Sequence, residues 1–181
     1  MTCFISGGAK CGKSSLAQDL TVALSEGGKR YYVATMISSG KEDDERIRRH
    51  LADRDGMGFE TVECFRNVLD CLEIADADGA FLVDSVTALM QNALFPAEKN
   101  YELDPEAAKR CADELVEFAG KVRHAVFVSD YIYSDACRYS ETTERYRKSL
   151  ADIDRRLATV CDTVVEVSAG QYIVHKGELR L

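Results

Sequence analysis

The residues with the clearest chemical meaning lie near the start of the chain. Residues 7–14 read Gly-Gly-Ala-Lys-Cys-Gly-Lys-Ser, which is the Gly-x-x-x-x-Gly-Lys-Ser pattern of a phosphate-binding loop, or P-loop. A short apolar run from Cys3 to Ile5 precedes the loop, and Leu16 and Leu20 recur at helical spacing after it. Strand, glycine-rich turn and helix are the context that this pattern requires. We therefore expect this protein to bind a nucleoside triphosphate.

Each residue type in the loop has a chemical task. Glycines let successive backbone N–H groups converge on phosphate oxygens, and the start of the following helix adds its positive end. Lys13 is expected to reach the β- and γ-phosphates, and the Ser14 hydroxyl is expected to bind Mg²⁺. The loop residues that we predict to bind nucleotide are Gly7, Gly8, Ala9, Lys10, Cys11, Gly12, Lys13, Ser14 and Ser15.

A second apolar run supplies a carboxylate. Residues 79–83 read Gly-Ala-Phe-Leu-Val and are followed by Asp84. A buried strand with an acid at its tip is the Walker B arrangement, in which the carboxylate holds Mg²⁺ or one of its water ligands. We therefore predict that Ser14 and Asp84 bind the metal, and that Lys13 and Asp84 are catalytic.

A highly charged helix is predicted over residues 41–54. Arg46, Arg49, His50 and Asp53 are spaced by three, four and seven residues and so share one face, while Ile47 and Leu51 form a separate apolar line. An imidazole between arginines can act on a phosphate. The alternative is a solvated helix whose histidine has no role, and this stretch alone favours that alternative.

The remaining pattern alternates strands with helices. Strands are predicted at 30–34, 59–63 and 125–128, with helices ending near 26 and 75 and covering 104–124 and 140–161. Two closing strands, at 163–167 and 171–175, form a hairpin. We predict one domain over residues 1–181, an α/β three-layer sandwich of the P-loop NTPase type with a largely parallel sheet and a C-terminal antiparallel hairpin.

The composition of the chain indicates its domain size, its class of partner and its compartment. A chain of 181 residues with 46% hydrophobic residues suits one domain with a full core. The net charge of −8 argues against a nucleic-acid or anionic membrane partner. We see no leader pattern and no apolar run near the ~20 residues that span a bilayer, so we expect a cytoplasmic protein. Seven scattered cysteines without a C-x-x-C pair support neither a zinc site nor a disulfide framework.

Several motifs of this chain occur together in one enzyme family. The loop resembles G-G-A-R-S-G-K-S, and Arg46-Ile47-x-x-His50-x-x-x-Arg54 resembles R-I-x-x-H-x-x-x-R. These are motifs of the bifunctional adenosylcobinamide kinase / adenosylcobinamide-phosphate guanylyltransferase family of cobalamin biosynthesis. The histidine motif is the most specific, since other P-loop kinases lack it. Further similarities are Tyr32-Val33-Ala34-Thr35 to Y-I-A-T, Phe59-x-Thr61-x-Glu63 to W-x-T-x-E, and Asp84-Ser85-Val86-Thr87 with Asn92 to D-C-L-T with an asparagine.

The resemblance implies a function. Members of the family are homotrimeric P-loop proteins that phosphorylate the aminopropanol hydroxyl of adenosylcobinamide and then transfer GMP from GTP to that phosphate, releasing pyrophosphate. The second reaction passes through GMP bound to the motif histidine, so the resemblance makes His50 catalytic. It also implies Mg²⁺ and GTP as cofactors, with ATP possible for the kinase step, and a corrinoid partner. The further nucleotide-binding residues that it implies are Thr35, Arg46, Arg54 and Glu63.

The last third of the chain departs from the family pattern. The family's S-N-E-V-G appears here as Ser129 followed by Asp-Tyr-Ile-Tyr at 130–133, and its N-Q pair appears as Asp154-Arg155. One alternative is therefore a diverged P-loop small-molecule kinase without guanylyl transfer. Another is a non-catalytic nucleotide-binding scaffold, against which the complete set of Lys13, Ser14 and Asp84 argues.

Overall fold

The structure is a computed structural model that describes residues 1–104 and 106–179. Its strands are β1 (Thr2–Gly7), β2 (Arg30–Ala34), β3 (Glu60–Glu63), β4 (Ala80–Asp84), β5 (His124–Asp130), β6 (Thr163–Ser168) and β7 (Gln171–Lys176). Its α-helices are α1 (Lys13–Leu24), α2 (Lys41–Asp53), α3 (Val86–Leu94), α4 (Ala107–Lys121) and α5 (Glu141–Val160). Two short 3₁₀ turns cover Val68–Glu73 and Ala97–Lys99.

All seven strands form one sheet in the order β3-β2-β4-β5-β1-β6-β7. Neighbouring strands are parallel except β6 and β7, which form the antiparallel hairpin. This confirms the predicted fold class. The strand that carries the phosphate loop, β1, is separated from β4 by β5. The carboxyl end of β5 therefore lies between the phosphate loop and Asp84.

The sheet is buried on both faces, which explains the continuous apolar runs of its central strands. On one face Ile5, Leu82 and Val126 pack with Ala17 and Leu20 of α1. The opposite face packs against α3, α4 and α5, through residues that include Phe81, Phe127, Leu89, Leu115 and Ile153. Helices on both sides of a mostly parallel sheet make the three layers that were predicted.

Helix α2 differs from the other α-helices because none of its residues is buried. Its first turn is held by Asp43, whose carboxylate accepts hydrogen bonds from the Ser39 backbone N–H and hydroxyl at 2.9 and 2.5 Å. The apolar line predicted on this helix does not enter the core: the Leu51 side chain is 48% exposed. Helix α2 therefore lies over the carboxyl edge of the sheet and not in its layers.

Two element predictions need correction. The helix predicted to end near residue 75 is only the 3₁₀ turn Val68–Glu73, and its buried Val68 and Cys71 are three residues apart, which is the 3₁₀ period. Helix α4 ends at Lys121 and not at His124, because His124 begins β5. Within the described residues no helix is both long and apolar enough to cross a membrane.

Candidate active site

The phosphate loop joins β1 to α1 in the geometry that its glycines permit. Gly12 has φ of 101°, a left-handed conformation that favours glycine. A Cβ atom on Gly7 would lie 2.4 Å from the Val167 carbonyl oxygen, so only glycine fits there. Because α1 begins at Lys13, the first backbone N–H groups of this helix are free of intrahelical partners and face the loop. The segment is therefore built to receive an anion.

The side chain of Lys13 is already held in this loop. Its Nζ donates to the Gly8 carbonyl oxygen and to Asp130 Oδ1, each at 2.8 Å. Only 8% of the Lys13 side chain and 22% of the Asp130 side chain are exposed. Asp130 ends β5 and is further fixed by its backbone N–H, which donates to Thr87 Oγ1 at 2.9 Å. The loop lysine is thus paired with an acid from the strand between β1 and β4.

A cleft of about 400 Å³ lies between the loop and α2; we call it the phosphate cleft. Residues 9–15 form one side, and Asp130 closes one end. The other side is the charged face predicted on α2, namely Arg46, Arg49, His50 and Asp53. The predicted face of α2 therefore lies across from the phosphate loop, and its cations face the position where phosphates would bind.

A smaller cavity of about 130 Å³ lies between α2 and the ends of β2, β3 and β4; we call it the α2 cavity. Its lining includes Thr35, Arg46, His50, Arg54, Glu63 and Asp84. Arg46 and His50 also line the phosphate cleft. The Nδ1 atom of His50 is buried and has no hydrogen-bond partner. Because Arg46 and His50 line both spaces, they lie at the junction of the α2 cavity and the phosphate cleft.

Asp84 and Thr35 lie at the ends of neighbouring strands. Asp84 Oδ2 accepts a hydrogen bond from the Tyr32 hydroxyl at 3.3 Å, and burial together with this carboxylate raises the pKa of Tyr32. The Thr35 hydroxyl donates to the Ser85 carbonyl oxygen at 2.8 Å and accepts from the Ser85 N–H at 2.7 Å. Thr35 thus fixes the backbone next to Asp84 and holds that carboxylate at the cavity wall.

A third cavity, of about 480 Å³, adjoins the other two; we call it the outer cavity. Asp130 is shared between it and the phosphate cleft, and Arg46 lines all three spaces. Other residues of its wall include Ser38, Ser39, Arg66, Thr87, Gln91, Asn92, Phe95 and Tyr101. The carboxyl edge of the sheet therefore holds a phosphate cleft and two further cavities, and Arg46 lines all three.

The sequence model of the cobinamide kinase / cobinamide phosphate guanyltransferase (CobU) family matches residues 3–174. The chain belongs to this family. It is thereby a member of a family of nucleotide-dependent kinases and guanylyltransferases of cobalamin biosynthesis. A search of curated proteins found no match to the sequence.

One solved structure shows the same fold at low sequence identity. The ATPase from the type III secretion system of pathogenic bacteria is 14% identical with a TM-score of 0.59, over 92% of this chain and 51% of that ATPase. This chain thus spans about half the length of the ATPase. The flagellar accessory protein FlaH from Methanocaldococcus jannaschii is 14% identical with a TM-score of 0.49, over 98% and 78% of the two chains.

The structure divides the predicted site residues of this cobinamide kinase family member into two groups. Those around the phosphate cleft are Ala9, Lys10, Cys11, Gly12, Lys13, Ser14, Ser15, Arg46 and His50. Thr35, Arg54, Glu63 and Asp84 instead line the α2 cavity with Arg46 and His50. Gly7 ends β1, and Gly8 contacts Lys13 through its carbonyl oxygen. Arg46 and His50 belong to both groups, because they line both spaces.

Some residues at the site were not among the predicted catalytic or nucleotide-binding residues. Asp130 lies in the phosphate cleft. Like Asp84, it is a carboxylate at the end of a buried strand, so the pattern that indicated Asp84 also applies to Asp130. Arg49 and Asp53 line the same cleft from the face of α2 that also carries His50. Tyr32 lies in the α2 cavity, where no sequence pattern distinguished it from an ordinary core aromatic.

A hydroxyl and a carboxylate are suitable donors for Mg²⁺, and Ser14 and Asp84 provide them at the ends of their elements. In the part of the chain that the structure describes, no three His, Cys, Asp or Glu side chains form a metal site. Mg²⁺ commonly binds through one or two protein oxygens together with substrate phosphates. The two donors therefore suit Mg²⁺ chemically, but the structure does not bring them into one space, because Ser14 lines the phosphate cleft and Asp84 lines the α2 cavity.

A buried acid supports the loop that follows β5. Asp154 of α5 is 3% exposed, and its Oδ2 accepts hydrogen bonds from the Ser129 hydroxyl at 3.0 Å and the Tyr133 hydroxyl at 3.1 Å. Its Oδ1 has no partner, and neither does the buried hydroxyl of Ser6. Burial raises the pKa of the Asp154 carboxyl to about 7. The carboxyl is therefore largely protonated below neutral pH.

Proposed function

We propose that this protein phosphorylates the hydroxyl of adenosylcobinamide and then transfers GMP from GTP to the resulting phosphate, through a guanylyl intermediate on His50. One observation carries the proposal: His50 lies at the junction of the phosphate cleft and the α2 cavity. A histidine at that junction can reach the α-phosphorus of a nucleotide whose phosphates lie in the loop. Membership of the family supports both activities.

The kinase step would use the phosphate loop. Lys13 and the N–H groups at the start of α1 would hold the β- and γ-phosphates, and Arg46 would face them from α2. Mg²⁺ held by Ser14 and Asp84 would neutralise the phosphate charge. Phosphoryl transfer depends mainly on such positioning and electrostatic stabilisation, and this loop supplies both from a buried lysine and a helix start.

The guanylyl step would use His50 as nucleophile. Because Nδ1 is buried, the nitrogen available for attack is Nε2. A bond forms between Nε2 and the α-phosphorus of GTP while the bond to pyrophosphate breaks. The phosphate of the corrinoid then attacks the same phosphorus, and the N–P bond breaks. Arg46, in both spaces, would stabilise the charge on the α-phosphoryl oxygens.

The α2 cavity would receive the nucleoside. Glu63 at the end of β3 offers carboxylate oxygens, and guanine presents N–H donors on its amino edge, whereas adenine lacks that amino group. Arg54 closes the cavity beneath His50 by donating to the His50 carbonyl oxygen at 2.7 Å and to Thr61 Oγ1 at 3.3 Å. This arrangement favours GTP as the nucleotide of the second step.

The test is incubation of the purified protein with adenosylcobinamide, GTP and Mg²⁺, followed by mass spectrometry of the products. In parallel, α-labelled GTP should label the protein with an acid-labile, base-stable bond, as expected for a phosphoramidate. His50→Asn should abolish the label, and His175→Asn is the matched control, because His175 lies on β7 paired with Glu166 at 2.9 Å. A label that persists in His50→Asn contradicts the proposed nucleophile.

The same assay separates the alternatives. Phosphorylated product without guanylyl product indicates a diverged kinase, and nucleotide binding without either product indicates a scaffold.

The homotrimer implied by the resemblance is also proposed. An exposed surface that could support assembly is the terminal strand β7, where Tyr172, Ile173 and Val174 are 48%, 61% and 36% exposed.

A further inference from the structure

We propose that Asp130 is the general base of the phosphoryl-transfer step, accepting the proton of the acceptor hydroxyl from the outer cavity. The inference rests on the proposed kinase activity and adds a catalytic residue and an acceptor site to it. The observation behind it is that Asp130 is shared by the phosphate cleft and the outer cavity and contacts the loop lysine.

The sheet order places Asp130 beside the phosphate loop. Because β5 runs between β1 and β4, its carboxyl end lies between the phosphate loop and Asp84. Gly7 and Asp130 are register partners on β1 and β5, and the Tyr131 N–H donates to the Gly7 carbonyl oxygen at 2.9 Å. Thr87 holds the Asp130 backbone from the other side. The backbone at Asp130 is thus fixed by β1 on one side and by Thr87 of α3 on the other.

The contacts of Asp130 leave it free to accept a proton. Oδ1 receives the hydrogen bond from Lys13, while no hydrogen bond to Oδ2 is found among the described residues. The Lys13 ammonium has three donors, of which Gly8 and Asp130 take two. The third remains for a phosphate oxygen, so the lysine can serve the nucleotide while it orients the acid. A base oriented beside the transferred group is what proton abstraction requires.

The outer cavity is suited to a hydroxyl-bearing acceptor. Its volume of about 480 Å³ exceeds that of the other two spaces. Ser38, Thr87 and Gln91 contribute polar groups to its wall, and Phe95 and Tyr101 contribute rings. It meets the phosphate cleft at Asp130. An alcohol that enters from this side would therefore meet the acid and the γ-phosphorus together.

The chemical step balances without another reactant. The acceptor oxygen forms a bond to the γ-phosphorus, and the bond between that phosphorus and the β-phosphate oxygen breaks, which releases the nucleoside diphosphate. The hydroxyl proton passes to Asp130 Oδ2. Lys13 and Arg46, which line the phosphate cleft, offset the repulsion between this carboxylate and the γ-phosphate.

The test compares Asp130→Asn and Asp130→Glu with the wild-type protein. Asparagine keeps the shape and an acceptor oxygen for Lys13 but cannot take a proton, whereas glutamate keeps the carboxylate. The matched control is Asp19→Asn, an exposed acid on α1 away from the cavities. Four quantities are measured: nucleotide Kd by calorimetry, kcat for phosphorylation of adenosylcobinamide, γ-phosphate release to water without acceptor, and Tm.

We expect Asp130→Asn to bind nucleotide at least as tightly as wild type, because a negative charge beside the phosphates is removed. Its kcat for the acceptor should fall about 10²- to 10⁴-fold, the usual contribution of a general base, with partial recovery in Asp130→Glu. Acceptor turnover within threefold of wild type in Asp130→Asn overturns the inference and leaves the proposed function standing. Loss of nucleotide binding in that variant also overturns it, since Asp130 would then only support Lys13.

A wild-type protein that does not phosphorylate adenosylcobinamide contradicts the proposed function instead. Phosphate release to water then decides the role of Asp130, because water in the outer cavity must also give up a proton. Release that falls in Asp130→Asn but not in Asp19→Asn supports the base, and equal release in both variants overturns it.

Discussion

The guanidinium carbon of Arg54 lies 3.7 Å from the centre of the Tyr32 ring. Arg54 follows the last residue of α2, and Tyr32 is a buried residue of β2. The stacking therefore fastens the C-terminal end of an otherwise exposed helix to the sheet. Because Arg54 also donates to the His50 carbonyl oxygen at 2.7 Å, this side chain links the backbone at His50 to the sheet.

Arg54→Lys should therefore impair guanylylation. A lysine keeps the charge but loses the flat stacking surface and the forked donors that reach His50 and Thr61 together. We expect labelling of His50 by α-labelled GTP to slow at least tenfold while the Tm stays within a few degrees. Arg48→Lys, on an exposed position of the same helix, is the control. Equal labelling rates in the two variants would mean that α2 is positioned by other contacts.

Lys13→Ala should abolish phosphoryl transfer and weaken nucleotide binding. The substitution removes the only buried ammonium described in the phosphate cleft and leaves the Asp130 carboxylate facing the nucleotide. Charge-assisted hydrogen bonds of this kind contribute about 1.5–3 kcal/mol each, so GTP affinity should fall roughly 10- to 100-fold. Calorimetry is the measurement, with Lys10→Ala as the comparison in the same loop. GTP binding by Lys13→Ala at wild-type affinity contradicts the assignment of the site.

Asp84→Asn should raise the Mg²⁺ concentration needed for half-maximal activity. The amide keeps an oxygen for the Tyr32 hydroxyl but loses the negative charge that a divalent cation requires. Tyr32→Phe, which removes the hydrogen bond and keeps the carboxylate, should change the Mg²⁺ dependence much less. An unchanged Mg²⁺ titration in Asp84→Asn would place the metal on other ligands.

The raised pKa of Asp154 predicts that the free energy of unfolding falls as the pH rises. Its pKa is about 7 in the folded protein against 3.8 in the unfolded chain, so the folded state binds more protons between these values. Stability from this group is therefore fully present below pH 4 and is lost as the pH rises through 7. The pKa difference corresponds to at most about 4 kcal/mol. Asp154→Asn should relieve this loss.

Urea unfolding at pH 5, 6, 7 and 8 measures the effect. Asp154→Asn should gain stability over wild type as the pH increases, whereas Asp152→Asn, an exposed acid of the same helix paired with Arg155 at 3.0 Å, should not. Parallel pH profiles for wild type and Asp154→Asn would show that the Asp154 carboxyl is ionised in the folded state over the whole range.

The terminal strand β7 is expected to take part in assembly. Ile173→Asp puts a charge at the most exposed of its apolar side chains, which an intersubunit contact would bury without a partner. Light scattering should show the proposed trimer in wild type and smaller species in this variant. Glu178→Gln, beyond the end of the strand, is the control. An unchanged mass in Ile173→Asp would place the interface elsewhere.

Local sequence signals predicted most of the sheet and the phosphate loop. The strand at Arg30–Ala34 has the predicted bounds, and the closing hairpin extends its prediction by one residue on each strand. These elements were predictable because neighbouring residues determine them. Glycines permit the left-handed or crowded backbone of the loop, and runs of β-branched or aromatic residues favour strands. The 3₁₀ turn at Val68–Glu73 was missed because apolar residues three apart fit both helix types.

The sequence by itself determined that a glycine loop, a lysine and a strand-end carboxylate occur in the order of a nucleotide site, and its motifs predicted the family. Only the tertiary structure decided which of these residues meet. Lys13 and Asp130 are 117 positions apart and touch because β5 inserts between β1 and β4. Helix α2 buries no residue, so its hydrophobic pattern cannot position it. Contacts with other elements, such as those of Arg54 with Tyr32 and Thr61, hold its C-terminal end against the sheet.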